Sequence, residues 1–239
     1  SDVYKRQVAS SEEQDLHSHC QPMMGKKMAN DDFTVHVVDD EEAVRKSLAF
    51  MLSMSGLGVR VHDTATAFAS LAPRLHRAVL VTDLRMPDIS GVELIRRIRS
   101  EGVRIPSIVI TGHGDVPMAV EAMKAGAVDF IEKPFADTVI IDAIHRAATR
   151  LDPRAPETES VEEVRKRLET LSERERQVLA GVVAGHPNKS IAFNLDISPR
   201  TVEVHRANVM GKMKARSLPE LVRMSLSIEI ADFGNSDGN

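Results

Sequence analysis

The chain has 239 residues, of which 42% are hydrophobic and 28% are charged, and it contains no tryptophan. This length suits two small domains of about 100–150 residues each and excludes a single large enzyme. Its longest apolar runs are far shorter than the roughly 20 residues that a membrane-spanning helix needs. The one cysteine, Cys20, cannot form an internal disulfide, and the chain opens without a signal segment, so we expect a reducing, cytoplasmic setting.

Charge is distributed unevenly along the chain, whose net charge is −4. Residues 31–150 carry 14 Lys and Arg against 17 Asp and Glu, whereas residues 171–224 carry 9 against 5. A basic excess in a compact C-terminal segment is typical of a module that binds nucleic acid. The alternative is a solvated basic surface that binds nothing.

The first thirty residues are polar and show no apolar period, which predicts a segment without a packed element. The sequence begins with Ser1, and Met23, Met24 and Met28 lie shortly before the first strand-like run. We therefore expect residues 1–30 to be either a disordered leader or an artefact upstream of the natural start.

From residue 31 to residue 151, short β-branched runs alternate five times with amphipathic stretches of helical period. The predicted strands are Thr34–Asp39, Gly58–His62, Ala78–Asp83, Ile105–Thr111 and Val128–Lys133. The predicted helices are Glu41–Ser55, Ala65–Ala72, Gly91–Ser100, Val116–Ala125 and Ala136–Arg150. This alternation predicts an α/β domain with a five-stranded, doubly wound parallel sheet of the flavodoxin type.

A linker is predicted next, because Asp152–Glu159 is polar, contains two prolines and has no period. The linker region, residues 152–170, ends in a short amphipathic helix with apolar residues at spacings of three and four. These residues are Val161, Val164, Leu168 and Leu171. This helix either covers the following domain or forms a dimerising seam.

Residues 171–226 are predicted to form a small all-α domain of four helices. Their starts are marked by Ser172-x-x-Glu175, Asn188, Ser198-Pro199 and Ser217-x-x-Glu220. Only residues 196–198 separate the second helix from the third, which is the pattern of a helix-turn-helix. Residues 227–239 are expected to be a tail.

Three acids, Asp39, Asp40 and Asp83, follow or close the first and third predicted strands. These strands are neighbours in a doubly wound sheet, and their carboxyl ends face the crevice where such folds bind ligands. Crowded carboxylates repel one another unless a cation offsets their charge, and hard oxygen ligands suit Mg²⁺. The sequence therefore predicts a magnesium site at this edge.

Thr111 and Lys133 close the fourth and fifth predicted strands at the same edge. A hydroxyl, an ammonium group and a metal ion around one carboxylate are what phosphoryl transfer requires. Asp83 is then the nucleophile, and Thr111 and Lys133 share the charge on the phosphoryl oxygens. One acid at a strand end is usually a helix cap, but chance rarely places five suitable residues at strand ends.

Four segments resemble the receiver domain of two-component response regulators, and this resemblance covers about residues 33–150. The segments are Val38–Glu41, Val81–Pro87, Ile110–Asp115 and Phe130–Phe135. The resemblance implies that Asp83 is the phosphoacceptor. It also implies that Asp40, Asp83 and the backbone carbonyl of Arg85 bind Mg²⁺, with Asp39 assisting.

The same resemblance implies that Thr111 and Phe130 form a switch pair. Thr111 would move toward the phosphoryl group and Phe130 would rotate into the vacated space, which changes the surface of the fourth helix and fifth strand. Val120 and Lys124, one turn apart on that helix, are the expected dimer contact. Alternatively, Val120 and Lys124 are ordinary surface residues that make no dimer contact.

Three C-terminal segments resemble the LuxR-type helix-turn-helix of the same regulators, namely Leu171–Glu175, Asn188–Ala192 and Ser198–His205. On a helical wheel of the third helix, Val202, Val209 and Met213 form the buried stripe. The residues expected to read bases are Arg200, Glu203, Val204 and Ala207. The residues expected to bind phosphates are Lys189, Arg206 and Lys214, and His205 is expected to pack inside the domain.

Together these resemblances imply a non-enzymatic response regulator that is phosphorylated by a cognate histidine kinase. The phosphorylated chain would dimerise, bind double-stranded promoter DNA and activate transcription in contact with RNA polymerase. The run Val116–Phe130 resembles the rhizobial nitrogen-fixation branch of the family, which implies nitrogen-fixation promoters and a haem-based, oxygen-sensing kinase. Two alternatives remain open: a Mg²⁺-dependent phosphohydrolase, and a constitutive DNA-binding protein with a vestigial receiver. The first is disfavoured because Arg85 stands where such enzymes carry a second acid.

Overall fold

A computed structural model describes residues 33–112, 115–152 and 160–236 of the chain. The strands are β1 Thr34–Val38, β2 Gly58–His62, β3 Ala78–Asp83, β4 Ser107–Thr111 and β5 Asp129–Glu132. They form one parallel sheet in the order β2-β1-β3-β4-β5, which confirms the predicted fold class. Residues 1–30, for which a leader was predicted, lie outside the described residues, as do residues 153–159 of the linker.

Five helices flank this sheet, with 3₁₀ turns at Ala72–Arg74 and Thr149–Leu151. They are α1 Glu42–Met54, α2 Ala65–Leu71, α3 Gly91–Ser100, α4 Val116–Ala125 and α5 Asp137–Ala148. β3 and β4 are buried along their whole length, because helices cover both faces of the sheet. One buried cluster lies under α2, α3 and α4, and a second lies under α1 and α5.

Three strands are shorter than the sequence predicted, and the difference affects the polar edge of the sheet. β1 ends at Val38 and β5 ends at Glu132, so Asp39 and Lys133 are the first loop residues after their strands. β4 begins at Ser107 rather than at Ile105, since Pro106 has no N–H to donate to a neighbouring strand. Because Asp39 and Lys133 lie in loops, their side chains can turn toward each other.

The C-terminal domain consists of the helices α6 Val161–Glu169, α7 Glu173–Val183, α8 Asn188–Leu195, α9 Pro199–Met213 and α10 Leu218–Ser236. Ser172 and Glu175 form the predicted capping box, and the Ser198 hydroxyl caps α9. The apolar side of α6 packs into this domain: Val164 is only 2% exposed, and Val161 and Leu168 pack against the same cluster. The interpretation of α6 as a cover is therefore confirmed.

The last helix is longer than expected. Residues 227–239 were predicted to be a tail, but α10 continues to Ser236. No glycine or proline interrupts the chain between Glu220 and Phe233, so nothing in the backbone ends the helix earlier. No helix within the described residues is long and apolar enough to cross a membrane.

Helix α10 also contacts the first domain. Its Val222 is fully buried in the same apolar cluster as Val120 of α4. Leu218 and Leu226, one turn to either side of Val222, pack against this cluster as well. Within the described residues, a continuous apolar contact thus joins α10 to the α4 side of the sheet.

Candidate functional site

The carboxyl edge of the sheet brings Asp39 and Asp83 together. β1 and β3 are hydrogen-bonded neighbours with Val38 opposite Thr82, so the residues that follow them meet at one point. The Lys133 ammonium lies between the two carboxylates, with its Nζ 3.2 Å from Asp39 Oδ2 and 2.9 Å from Asp83 Oδ1. The sequence predicted all three groups at this edge, and the structure joins them into one ionic cluster.

Burial sets the proton affinities in this cluster. Asp39 is 1% exposed, and burial raises the pKa of its carboxyl despite the opposing effects of the Glu41 N–H and Lys133. Burial acts to lower the pKa of Lys133, but the hydrogen bond from its ammonium to Asp83 and the charges of both acids outweigh this effect and raise it. The ammonium therefore stays protonated near neutral pH and holds the two carboxylates in place.

Asp83 is held by its own loop. Its Oδ2 accepts a hydrogen bond of 2.7 Å from the backbone N–H of Arg85, and its backbone carbonyl accepts one of 3.0 Å from the Thr82 hydroxyl. The residue is 9% exposed, so one side of the carboxylate remains open to solvent. A carboxylate that is fixed but accessible can act as a nucleophile.

The metal ligands that the sequence predicted are all oxygen donors. Asp39 and Asp83 converge, Asp40 is exposed beside them, and Arg85 lies two residues after Asp83. Within residues 33–112, 115–152 and 160–236, no group of three or more His, Cys, Asp or Glu side chains is arranged to hold a metal by itself. The donor set fits Mg²⁺, since this ion keeps several waters and needs only one or two protein carboxylates.

The predicted switch residues lie on adjacent strands. Thr111 ends β4 and is 1% exposed, and its backbone carbonyl accepts a hydrogen bond of 2.7 Å from the Lys133 N–H. Phe130 in β5 is half-buried and packs against the cluster that contains Val222 of α10. This residue also lines a cavity together with Glu220 and Arg223 of α10, so the aromatic switch residue lies at the junction between the two domains.

The two residues predicted to form a dimer contact have different surroundings. Val120 is 2% exposed, because the C-terminal domain covers this part of α4. A Cβ built on Gly185, just after α7, would lie 3.7 Å from Val120 Cγ1 and 3.6 Å from the Pro117 Cα. Lys124 is exposed.

Sequence reasoning missed Arg45, which anchors the acidic loop. Its Nη1 donates hydrogen bonds of 2.7 Å to the Asp39 carbonyl and 2.8 Å to the Asp40 carbonyl. Its position in the first turns of α1 was a usable signal, because a long side chain there can reach back to the preceding loop.

The predicted DNA-binding face of α9 is largely exposed. Exposed residues are Arg200, Glu203, Val204 and Ala207 on α9, Lys214 at the C-cap just after this helix, and Lys189 on α8. The opposite stripe of Val202, Val209 and Met213 is at most 1% exposed, as the helical wheel predicted. Arg200 and Glu203, both expected to read bases, are paired with each other at 2.8 Å.

Two residues of α9 point inward. Arg206 is half-buried, burial lowers the pKa of its guanidinium, and its Nη1 donates a 2.7 Å hydrogen bond to the Asn188 side chain. This guanidinium therefore ties α9 to the start of α8, in addition to any phosphate it contacts. The His205 Nδ1 is buried without a hydrogen-bond partner among the described residues, which agrees with packing rather than base reading.

An ion pair between exposed Lys212 and buried Glu175 fixes the other end of α9. The Lys212 ammonium lies 2.7 Å from Glu175 Oε2, and the same oxygen accepts a hydrogen bond from the Ser172 N–H. The hydrogen bond from Lys212, followed by that from Ser172, lowers the pKa of Glu175 to about 2. The exposed face of α9 is thus oriented by contacts with both α7 and α8.

Comparison with known families matches residues 35–145 to the response regulator receiver domain and residues 169–225 to the bacterial regulatory proteins of the luxR family. Over 196 residues, the chain is 69% identical to the transcriptional regulatory protein FixJ of Rhizobium meliloti (strain 1021), covering 82% of this chain and 96% of that relative. FixJ of Azorhizobium caulinodans is 55% identical over 197 residues, which are 82% of this chain and 93% of the relative. The crystal structure of full-length FixJ from B. japonicum is similar with a TM-score of 0.51 and 46% identity, covering 83% of this chain and 98% of that one.

Proposed function

The chain belongs to the two-component response regulators that join a receiver domain to a LuxR-type DNA-binding domain, and on this premise we propose that it is a transcription activator switched by phosphorylation of Asp83. The observation that carries the proposal is the cluster in which the Lys133 ammonium lies 2.9 Å from the Asp83 carboxylate at the open edge of the sheet. A charged donor is already in place for a phosphoryl group carried by this side chain.

The phosphodonor is a phosphohistidine of a cognate kinase. A carboxylate oxygen of Asp83 attacks the phosphorus, a P–O bond forms, and the P–N bond to the kinase breaks with its electron pair returning to the imidazole. Lys133 and the Thr111 hydroxyl stabilise the negative charge on the phosphoryl oxygens. Asp40, Asp83 and the Arg85 carbonyl, assisted by Asp39, would hold a Mg²⁺ that supplies further charge neutralisation.

The switch begins at Thr111 and Phe130. Phosphorylation adds negative charge and acceptor oxygens, toward which the Thr111 hydroxyl moves, and Phe130 rotates into the space it leaves. Phe130 packs against the cluster containing Val222, so its rotation alters the contact that holds α10.

The resting chain restrains itself through this contact. Val120 is buried beneath the DNA-binding domain and so is inaccessible to a second protomer. Release of α10 exposes Val120 next to Lys124, and these residues then form the dimer contact. A phosphoryl group shifts this equilibrium only by its differential stabilisation of the two states, for which a few kcal/mol is enough.

The dimer binds two half-sites on promoter DNA through α9. Arg200 can bond guanine, Glu203 can accept a hydrogen bond from cytosine, and Val204 and Ala207 can contact thymine methyl groups. Breaking the Arg200–Glu203 pair is part of binding, because both side chains are engaged with each other in the free protein. Lys189, Arg206 and Lys214 bind phosphates, which makes the affinity fall with salt.

The relatives named FixJ support a role in nitrogen fixation. We assign promoters of nitrogen-fixation regulators as the DNA targets, a FixL-like haem oxygen sensor as the kinase, and RNA polymerase as the partner at the promoter. Low oxygen is then the stimulus that leads to phosphorylation.

Phosphorylation with acetyl phosphate and Mg²⁺, read alongside gel-filtration size and mobility shift of nitrogen-fixation promoter fragments, tests the proposal. We expect a stoichiometric, slowly decaying phosphoprotein that elutes as a dimer and binds the promoter more tightly. The Asp83→Asn variant should show none of these changes. Sustained hydrolysis of acetyl phosphate without accumulation of phosphoprotein supports a phosphohydrolase instead. Equal promoter binding with and without phosphorylation supports a constitutive DNA-binding protein.

A further inference from the structure

The acidic loop between β1 and α1 is held by a single guanidinium nitrogen. Arg45 Nη1 donates to the carbonyl oxygens of two successive residues, Asp39 at 2.7 Å and Asp40 at 2.8 Å. In the same loop, the Glu41 N–H donates a 2.9 Å hydrogen bond to Asp39 Oδ1, and the Asp39 N–H bonds to the His62 carbonyl. These hydrogen bonds fix the directions of four backbone groups of the loop: the Asp39 N–H and carbonyl, the Asp40 carbonyl and the Glu41 N–H.

This contact counters electrostatic repulsion within the loop. Residues 39–42 are four successive acids, and their like charges repel one another. Two consecutive carbonyls aimed at one donor fix the backbone torsions of Asp39 and Asp40, and with them the direction in which each side chain leaves the backbone. Arginine suits this role because it is charged at every accessible pH and its planar group makes hydrogen bonds with little loss of freedom.

We propose that Arg45 is a positioning residue that holds the acidic loop in the conformation that binds a divalent cation. This inference rests on the proposed function of the pocket as a Mg²⁺ site. Mg²⁺ demands near-ideal octahedral geometry, so a loop that is already in place binds it more tightly than one that must be ordered. Arg45 itself touches neither the ion nor the phosphoryl group.

The positioning role and a simple charge effect predict opposite changes in metal affinity when Arg45 is replaced. A guanidinium near a cation site repels the cation, so its removal would tighten binding if charge alone mattered. If Arg45 served only to stabilise α1, its removal would lower the melting temperature and leave the metal affinity unchanged. The positioning role alone predicts weaker metal binding when Arg45 is replaced.

Replacing Arg45 by methionine keeps most of the apolar length of the side chain and removes its donors. Lys46→Met is the matched control, because Lys46 is the next residue on the same helix and pairs only on the surface with Glu42 at 2.6 Å. Arg45→Lys is the conservative variant, since an ammonium group retains donors that reach toward the carbonyls. All variants are made in the full chain, and their folding is checked by circular dichroism.

The measurement is a titration with Mn²⁺ followed by electron paramagnetic resonance, with Mg²⁺ as competitor. We expect Arg45→Met to weaken binding of both ions by about 10-fold, the size typical for loss of a group that orients metal ligands. Lys46→Met should bind as the wild type does, and Arg45→Lys should lie between. With acetyl phosphate, the Arg45→Met rate should reach the wild-type value at saturating Mg²⁺, with the half-saturating concentration raised to the same extent.

Unchanged or tighter ion binding in a folded Arg45→Met protein overturns the proposal, as does a rate that stays low at saturating Mg²⁺. If Arg45→Met does not fold, Arg45→Lys decides the matter: weakened ion binding supports the proposal, and wild-type affinity overturns it. A wild-type protein that binds neither Mn²⁺ nor Mg²⁺ overturns the proposed metal site together with this role. If only the positioning role of Arg45 is wrong, the wild-type protein still binds Mn²⁺ and Mg²⁺. This result is distinguishable from the absence of the proposed metal site.

Discussion

Gly91, the first residue of α3, lies directly against the backbone carbonyl of Asp83. A Cβ at this position would overlap the Asp83 carbonyl oxygen and would also press on the Thr82 side chain. The Gly91 N–H meanwhile donates a 3.0 Å hydrogen bond to the Leu84 carbonyl, which draws the start of α3 onto the end of β3. The close approach is what lets the loop after Asp83 fold back over the polar edge of the sheet.

Gly91→Ala is therefore expected to displace the backbone of Asp83. An overfilled contact of this kind costs about 1–3 kcal/mol of unfolding free energy. We expect a lower melting temperature and slower phosphorylation by acetyl phosphate. Gly58→Ala is the control, because a Cβ there meets only the Phe33 carbonyl at 3.8 Å. Wild-type stability and rate in Gly91→Ala would contradict this account.

Lys133→Met removes the cation that bridges Asp39 and Asp83. The phosphoryl group then loses a charged donor that is already in place, and we expect phosphorylation to slow by about 100-fold. Electrophoretic separation of the phosphorylated chain measures this rate. Lys166→Met, an exposed lysine on α6, should react like the wild type. A Lys133→Met rate within two-fold of the control, about the scatter of such assays, would exclude a role for this ammonium.

Val222→Asp tests the contact between α10 and α4. A charge buried among Val120 and its neighbours is costly, so this variant should favour the released arrangement. We expect the unphosphorylated variant to bind promoter DNA about 10-fold more tightly than the wild type, within the usual range of coupling energies. Ser227→Asp changes a partly exposed residue on another side of α10 and should have no such effect. Unaltered DNA affinity in Val222→Asp would show that this contact exerts no restraint.

Glu175 makes the DNA-binding domain sensitive to acid. Its pKa is lowered to about 2 in the folded chain from 4.5, chiefly by the hydrogen bond from Lys212, so the unfolded chain takes up a proton first. The stabilisation is complete above pH 4.5 and is lost as the pH falls toward 2. Thermal unfolding between pH 2 and 5 should show this loss in the wild type and much less of it in Glu175→Gln. Glu173→Gln, exposed in the same turn, should retain the wild-type slope.

His36 gives the receiver domain a separate pH dependence. The ring is 1% exposed, its Nδ1 lies 2.9 Å from His62 Nε2, and burial together with the charges of His62 and Arg60 lowers its pKa to about 4. The unfolded chain protonates this residue near pH 6.5, so folding stability should fall as the pH drops from 6.5 to 4. His36→Leu should make the melting temperature less dependent on pH over that range. His76→Gln, at an exposed site, should not.

Much of the local structure follows from short-range signals. The caps Ser172 and Ser198 were predicted and are observed, because a cap bonds to backbone only three residues away. The strand ends were less accurate, since pairing to a neighbouring strand decides where a ladder stops. The length of α10 was underestimated although a local signal was present, since neither glycine nor proline lies between Glu220 and Phe233.

The residues of the candidate site also fall into two groups, those that the sequence indicated and those that only the structure revealed. The sequence indicated Asp83, Thr111 and Lys133 because parallel strands direct their carboxyl ends to one edge. It did not indicate Arg45 or Gly91, whose importance depends on backbone groups of the facing loop rather than on residue type.

By itself, the sequence determined the order of strands and helices, the fold class and the polar groups at the edge of the sheet, since hydrophobic period and helix caps act over a few residues. Only the tertiary structure decided that Lys133 bridges two acids, that Arg206 turns toward Asn188, and that Val120 is covered by α10. These relations join residues that are distant in the chain. They depend on how completed elements pack, and a local pattern shows which face of an element is buried but not which residues of another element it meets.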